Sequence, residues 1–235
     1  MNVLDLIIIG IIAMSTIYGI YRGFIQSLIS LGGSIVSVAI SFLIYPSLVN
    51  YIATNPEIIH SLLYFTDADS LIGDLGLAST SINLVNRDMV SKLMDKLQLA
   101  KPIDTLLAQN IEYKVFSTTN ALNLSDYVSQ TIISVSINII SFLICYFAIF
   151  IIFSLVLNFI KGIFRFPLLK QLDGLAGGLM GFLRGIIFVF LFFTLIPLLQ
   201  TIIPLEFFTN FINSSQLAPI FQNSSFIISI MNKRF

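Results

Sequence analysis

Residues Leu172–Phe188 read LDGLAGGLMGFLRGIIF. Gly177, Gly181 and Gly185 recur every four residues, so in an α-helix they share one face and let a second helix approach closely. Asp173 and Arg184 are separated by close to three helical turns, which places an acid and a base on nearly the same face as the glycines. The apolar run continues to Ile203, so Gly174–Ile203 is long enough for a bilayer core, which takes about 20 mostly apolar helical residues. Arg184 then lies well inside the bilayer, where a central charge costs at least about 2.5–3.5 kcal/mol. An acidic partner, a wet cavity or a helix that is not a simple span must compensate.

Outward from this stretch, three more runs have the same character: Val3–Tyr21, Phe24 to about Leu48, and Val128–Ile160. Backbone polar groups in lipid must be satisfied within the segment, so these runs are helices, and none shows the alternation of a barrel strand. Of the 235 residues, 57% are hydrophobic and 10% charged, against about 25% charged in an ordinary soluble domain, so much of the chain is solvated by lipid. The fold class read from this is an all-α membrane protein with about four transmembrane helices and an extracytoplasmic helical cap segment. The first run opens with Asp5 and no basic residue and continues into a second run, so it reads as a retained helix and not a cleaved signal. The third run overshoots a bilayer core of about 30 Å; its start projects above the membrane, with Ser125 or Asp126 as N-cap.

Arg22 sits between spans one and two, and Lys161, Arg165 and Lys170 sit between spans three and four. The positive-inside rule places both short connectors in the cytoplasm. The N-terminus, residues 50–125 and the C-terminus then lie outside it, although Lys233 and Arg234, far from the last span, vote weakly the other way. The chain divides into a helical hairpin (1–49), a polar extracytoplasmic segment (50–125), spans three and four (126–203) and an interfacial amphipathic tail (204–235). The polar segment carries most of the acids, from Glu57 to Glu112. Within it Met89, Leu93, Met94 and Leu97 fall at helical spacing opposite Lys92, Asp95 and Lys96, a short amphipathic helix over Asp88–Leu99 that Pro102 ends. The segment as a whole reads as a loosely helical cap. In the tail, Phe207, Phe208, Phe211 and Ile212 form one apolar face, as an interfacial helix would.

Gly19-Ile-Tyr-Arg22-Gly23 has the spacing of Gly181-Phe-Leu-Arg184-Gly185, a hint of an internal repeat of the kind that accompanies transport sites. If Arg184-Gly185 is a turn like Arg22-Gly23, Gly174–Leu183 is a re-entrant arm and the span proper is Ile186–Ile203. The plainer reading is that the glycine stripes, including Ser15, Gly19 and Gly23, mediate helix packing. Other chemistry is poorly served. His60 is the sole histidine, and there is no H-E-x-x-H, P-loop or G-x-S-x-G pattern. Asp67, Asp69 and Asp74 approach a calcium-loop spacing, but Ile72 stands where glycine is required. The single cysteine, Cys145, cannot form an intramolecular disulfide. No basic cluster interleaved with aromatics suggests nucleic acid. The sequence therefore points to no metal, no cofactor and no enzymatic activity.

The opening Asn2-Val-Leu-Asp5, the Gly19-Ile-Tyr-Arg22-Gly23 hairpin, the Asp173–Gly185 stretch and the tail motif Ser215-Gln-Leu-Ala-Pro219 together resemble the colicin V production family of bacterial inner-membrane proteins. The resemblance covers all four spans and is weaker over residues 50–125 and in the tail, which lacks a Trp before the serine. It implies a multi-pass protein of the bacterial plasma membrane with a role in toxin production or export and envelope function. Asp5, Gly19, Arg22, Gly23, Asp173, Gly177, Gly181, Arg184 and Gly185 match the family's recurring positions, with no assigned roles. Two functional expectations follow. One is an auxiliary or scaffold component that works in the lipid bilayer with other membrane proteins or as a homo-oligomer, with partners on the glycine faces. The other is an oligomeric channel or transporter with Arg184, Asp173 and Arg22 along its path. An intramembrane enzyme is weakest, because the spans offer no paired acids and no serine–histidine pair.

Overall fold

The computed structural model describes residues 2–66, 68–97, 99, 101–116, 121–161, 170–202, 212 and 214–222. They form helices joined by short turns, with a single isolated bridge between Ser81 and Asn123. In chain order the helices are α1 (Val3–Arg22), α2 (Phe24–Ala53), α3 (Pro56–Phe65), α4 (Ala68–Ile72), α5 (Leu75–Ala78), α6 (Arg87–Leu97), α7 (Lys101–Glu112), α8 (Leu124–Lys161), α9 (Lys170–Thr194), α10 (Ile196–Ile202) and α11 (Ala218–Gln222), with a 3-10 turn at Ile82–Leu84. Four segments are long and apolar enough to cross a membrane: Val3–Arg22, Phe24–Ala53, Leu124–Leu157 and Asp173–Leu199. Only 28% to 44% of each apolar window is buried within the protein, so most of each span needs an apolar surround. The chain is an all-α membrane protein.

Two units divide the chain, and α2 and α8 contribute to both. The first comprises residues 1–47, 140–194 and 210–227. Its centre is the antiparallel pair of α1 and α9, in which Gly19 lies against Gly177, Gly181 against Ser15 and Thr16, and Gly185 against Ile12. The α2 and α8 helices meet through Phe42, Tyr45 and Phe142, with Phe42 and Phe142 ring centroids 4.8 Å apart. Phe150 of α8 meets Phe188 of α9 edge to face, and Phe190 and Phe193 of α9 hold Phe221 of α11. The other faces carry Met14, Ile17 and Tyr21 on α1, Leu43 on α2 and Ile151, Ile152 and Leu155 on α8, all exposed and, apart from Tyr21, fully apolar.

The α9 helix runs unbroken through Arg184 and Gly185, so this pair is not a turn, and the re-entrant alternative for Gly174–Leu183 fails. Both residues keep helical hydrogen bonding, whereas Gly23 adopts φ +82°, a positive value open to glycine, and ends α1.

The second unit comprises residues 48–139, 195–209 and 228–235. It is more than a loose cap, since Leu93, Leu97, Leu99, Ile103, Leu107, Ile111, Leu124, Tyr127 and Val128 form a buried core. The expected amphipathic helix is present as α6, and its buried residues are Leu93 and Leu97. Pro102 does not merely end it: Pro102 occupies the first turn of α7, where a missing N–H costs nothing. The cap of α8 is Asn123, not Ser125 or Asp126. The Asn123 Oδ1 accepts from the Asp126 N–H at 2.8 Å, and Asp126 reaches back to the N–H groups of Leu122 and Asn123, a reciprocal cap two to three residues earlier than the sequence suggested. Burial pushes the Asp104 carboxyl up to about 6, and one of its oxygens is buried with no hydrogen-bond partner among the described residues. Asp74 is lowered by the Leu77 N–H it accepts from and then by Lys96, its ion-pair partner at 3.1 Å. The expected interfacial face of Phe207, Phe208 and Phe211 lies outside the described residues; Ile212 is buried in the first unit.

Candidate functional site

All nine residues of the sequence-derived stripe lie in the first unit. They separate into three places along the α1–α9 pair.

At the start of α1, Asp5 is buried and belongs to a capping box with Asn2: its Oδ2 accepts from the Asn2 N–H at 2.7 Å. Its Oδ1 accepts from the Ser215 hydroxyl at 2.5 Å and from the N–H groups of Gln216 and Leu217, both at 3.1 Å. Ser215 in turn accepts from the Ala218 N–H, and Asn2 donates to the Ser214 hydroxyl at 2.7 Å. One carboxylate thus gathers the donors of the Ser215–Pro219 turn, which is why Asp5 tolerates burial with no cationic partner among the described residues.

In the middle, the two glycine faces meet each other. A methyl on Gly19 would strike the Gly177 carbonyl oxygen, and one on Gly177 would strike the Gly19 carbonyl and the Gly23 backbone. The Ser15 hydroxyl donates to the Gly181 carbonyl at 2.7 Å across the contact, and Ser27 donates to the Gly19 carbonyl at 3.1 Å. The stripe is a packing surface used within the chain, so its central glycines are not free to receive a partner.

At the hairpin end, Asp173 does not pair with Arg184. Its Oδ1 accepts from the Phe24 N–H at 2.7 Å, and a methyl on Gly23 would collide with the same carboxylate. Gly23 is therefore required twice, for its φ and for the space that lets Asp173 cap the first turn of α2. Arg184 is 7% exposed and held by hydroxyls: its Nε donates to Ser15 at 3.1 Å and its Nη1 to Ser30 at 2.8 Å. Its guanidinium lies 5.1 Å from the Tyr18 ring centroid and 5.6 Å from that of Phe188. Arg22 lies 4.4 Å from the same Tyr18 ring. Neither arginine forms an ion pair among the described residues. Hydroxyls and aromatic faces replace the acidic partner that the sequence led one to look for.

Sequence reasoning missed Ser30, Tyr18 and the Phe24 amide as partners. The signal for Ser30 was the helical spacing of Ser27, Ser30, Ser34, Ser37 and Ser41 in the second span. Of these, Ser34, Ser37 and Ser41 bond the carbonyl four residues earlier, while Ser27 and Ser30 face α1 and α9. Among the described residues no group of three or more His, Cys, Asp or Glu side chains could hold a metal ion.

Four apolar spans, an intramembrane arginine and a glycine-to-glycine helix contact define a polytopic α-helical membrane protein. The model of the family described as colicin V production protein matches residues 4–108 and 114–225, so the chain belongs to that family of membrane proteins linked to colicin V production. No curated protein and no solved structure matches it.

Proposed function

We propose that this protein is an auxiliary or scaffold component of the bacterial inner membrane that supports toxin production or export and takes part in no chemistry of its own. The observation that carries this reading is where the polar groups at membrane depth go. Asp5, Asp173, Ser15 and Arg184 are each engaged by another part of the same chain, while the outward faces of α1 and α8 are apolar. Such a unit presents surface, not reactive groups. In this reading the Arg22–Gly23 hairpin faces the cytoplasm with Lys161, Arg165 and Lys170, and residues 50–125 lie on the other side. Photo-crosslinking residues placed at Met14, Ile17 and Ile152 in native membranes test it. Protein adducts, including copies of this chain, are the expected result; adducts with lipid alone at all three positions overturn it.

A second reading, an oligomeric channel or transporter, is favoured by the two arginines that share the Tyr18 ring with no ion pair among the described residues. It predicts ion or small-solute flux in liposomes that Arg184→Ala abolishes or changes in selectivity. Absence of flux from properly inserted wild-type protein removes this reading.

A further inference from the structure

Arg22 and Arg184 bring two like charges to a single aromatic ring at the hairpin end of the first unit. Cations in such proximity repel, and the hydroxyls and aromatic faces around them solvate the charges without neutralising them, so an anion is favoured there. The acid at the turn, Asp173, is engaged by the Phe24 amide, and neither arginine forms an ion pair among the described residues. Beside them a cleft of about 20 Å³ has a polar side of Arg22, Ser30 and Ser154 and an apolar side of Gly33, Phe150, Phe153 and Leu157. That is room for one water-sized group, the size of a single phosphoryl oxygen, with the rest of a ligand at the open mouth. Ser30, on the wall of the cleft, is the same hydroxyl that accepts from Arg184, so the buried arginine acts on the cleft through it. Gly33 keeps the wall low where a methyl would strike the Phe153 ring.

We propose that this cleft binds a phosphate group, with Arg22 as the direct cationic contact, Ser30 and Ser154 as hydroxyl contacts and Arg184 as a positioning residue behind Ser30. Basic pockets between transmembrane helices are suited to phosphorylated headgroups, and guanidinium is the cation that matches phosphate geometry. The same chemistry could be supplied by an anionic phospholipid of the surrounding leaflet or by a soluble phosphate. Such a phosphate site serves a scaffold and a channel alike.

The test uses the full chain in mild detergent with two probes. Native mass spectrometry measures retention of phosphatidylglycerol against phosphatidylcholine, and thermal unfolding measures the effect of inorganic phosphate against chloride at equal ionic strength. Wild type is expected to retain phosphatidylglycerol at least about tenfold better than phosphatidylcholine, or to gain thermal stability from phosphate. The first result assigns a lipid headgroup and the second a soluble phosphate. Arg22→Gln is expected to remove the effect, and Ser154→Leu, which fills the cleft without touching charge, is expected to weaken it. Lys92→Gln, which removes a charge in the second unit, is expected to leave it intact. Circular dichroism identifies variants that remain helical. No preference in either probe overturns the proposal. So does full retention by helical Arg22→Gln and Ser154→Leu proteins, or an equal loss in Lys92→Gln.

Discussion

Replacing Gly19 by alanine is the sharpest probe of the α1–α9 contact. The added methyl falls on the Gly177 carbonyl oxygen, and it also lies 2.9 Å from the Gly181 Cα and 3.1 Å from the Gly177 carbonyl carbon. All three are backbone atoms, which cannot rotate aside. Ordinary carbon contacts need about 3.5–4.0 Å, so the helices must part by roughly 1 Å. Overpacking of this kind costs about 1–3 kcal/mol, and parting also weakens the Ser15–Gly181 hydrogen bond, a further cost of about 0.6 kcal/mol for a typical intramembrane bond. Alanine's better helix propensity offsets about 1 kcal/mol of this. The net expectation is a loss of about 0.6–2.6 kcal/mol. Gly10→Ala is the matched control, because Gly10 lies on the same helix and a methyl there meets nothing within 4 Å. Cys145, buried and the only cysteine, supplies the assay: a maleimide dye labels it as the protein unfolds on heating. Gly19→Ala should label at a temperature lower by about 2–4 °C for each kcal/mol lost, with Gly10→Ala at or slightly above wild type. Equal labelling temperatures for the two variants would refute the glycine-contact account.

Asp5→Ala removes the acceptor that gathers Ser215, Gln216 and Leu217, and limited proteolysis should then cut the chain near Ser215 about tenfold faster than in wild type, with α1 still helical. Gly23→Ala should destabilise more than Gly32→Ala in the same dye-labelling assay, since Gly23 has a positive φ and abuts Asp173 whereas a methyl on Gly32 meets nothing within 4 Å. Asp104 gives a pH dependence. Its folded pKa of about 6 lies above the unfolded value of 3.8, so its contribution is fully present below pH 3.8 and is lost as pH rises through 6. Asp104→Asn should therefore melt higher than wild type at pH 8 and no higher at pH 3.5, and a gain of the same size at both would contradict the assignment.

The four spans were legible because length and hydropathy decide membrane insertion, and residue-level geometry hardly enters. The glycine stripe was legible for a similar reason: Gly177, Gly181 and Gly185 share a face in any straight α-helix. What they touch was not, because the partner stripe of Ser15, Gly19 and Gly23 lies at the other end of the sequence and no local rule joins them. The G-x-x-R-G echo misled in one respect. Gly23 and Gly185 sit in the same sequence context, yet one takes φ +82° and the other stays helical. The difference is made by the Asp173 carboxylate at Gly23 and the Ile12 backbone against Gly185, both tertiary. The alignment of Asp173 with Arg184 was real in register but empty in contact, since the backbone amide of Phe24 took the acid first. A proline inside a polar segment was ambiguous for a simpler reason: Pro102 serves a helix start as well as it would serve a stop.

The Ser15–Gly181 bond joins residues 166 apart in sequence, and the Asp5–Ser215 bond joins residues 210 apart. A ribosome adding about 5–20 residues per second reaches those partners some tens of seconds at most after α1 has been made. Through that interval α1 sits in the bilayer with a bare glycine face, an unanswered serine and a carboxylate only half satisfied by its own helix start. Closure of the bundle is therefore a late event in biosynthesis, and the order in which the chain emerges sets a waiting time during which the first helix is open to chaperones and to membrane proteases. A chain that terminates before Gly177 would leave that helix permanently without its mate, so premature stops should be read out as degradation of the whole protein.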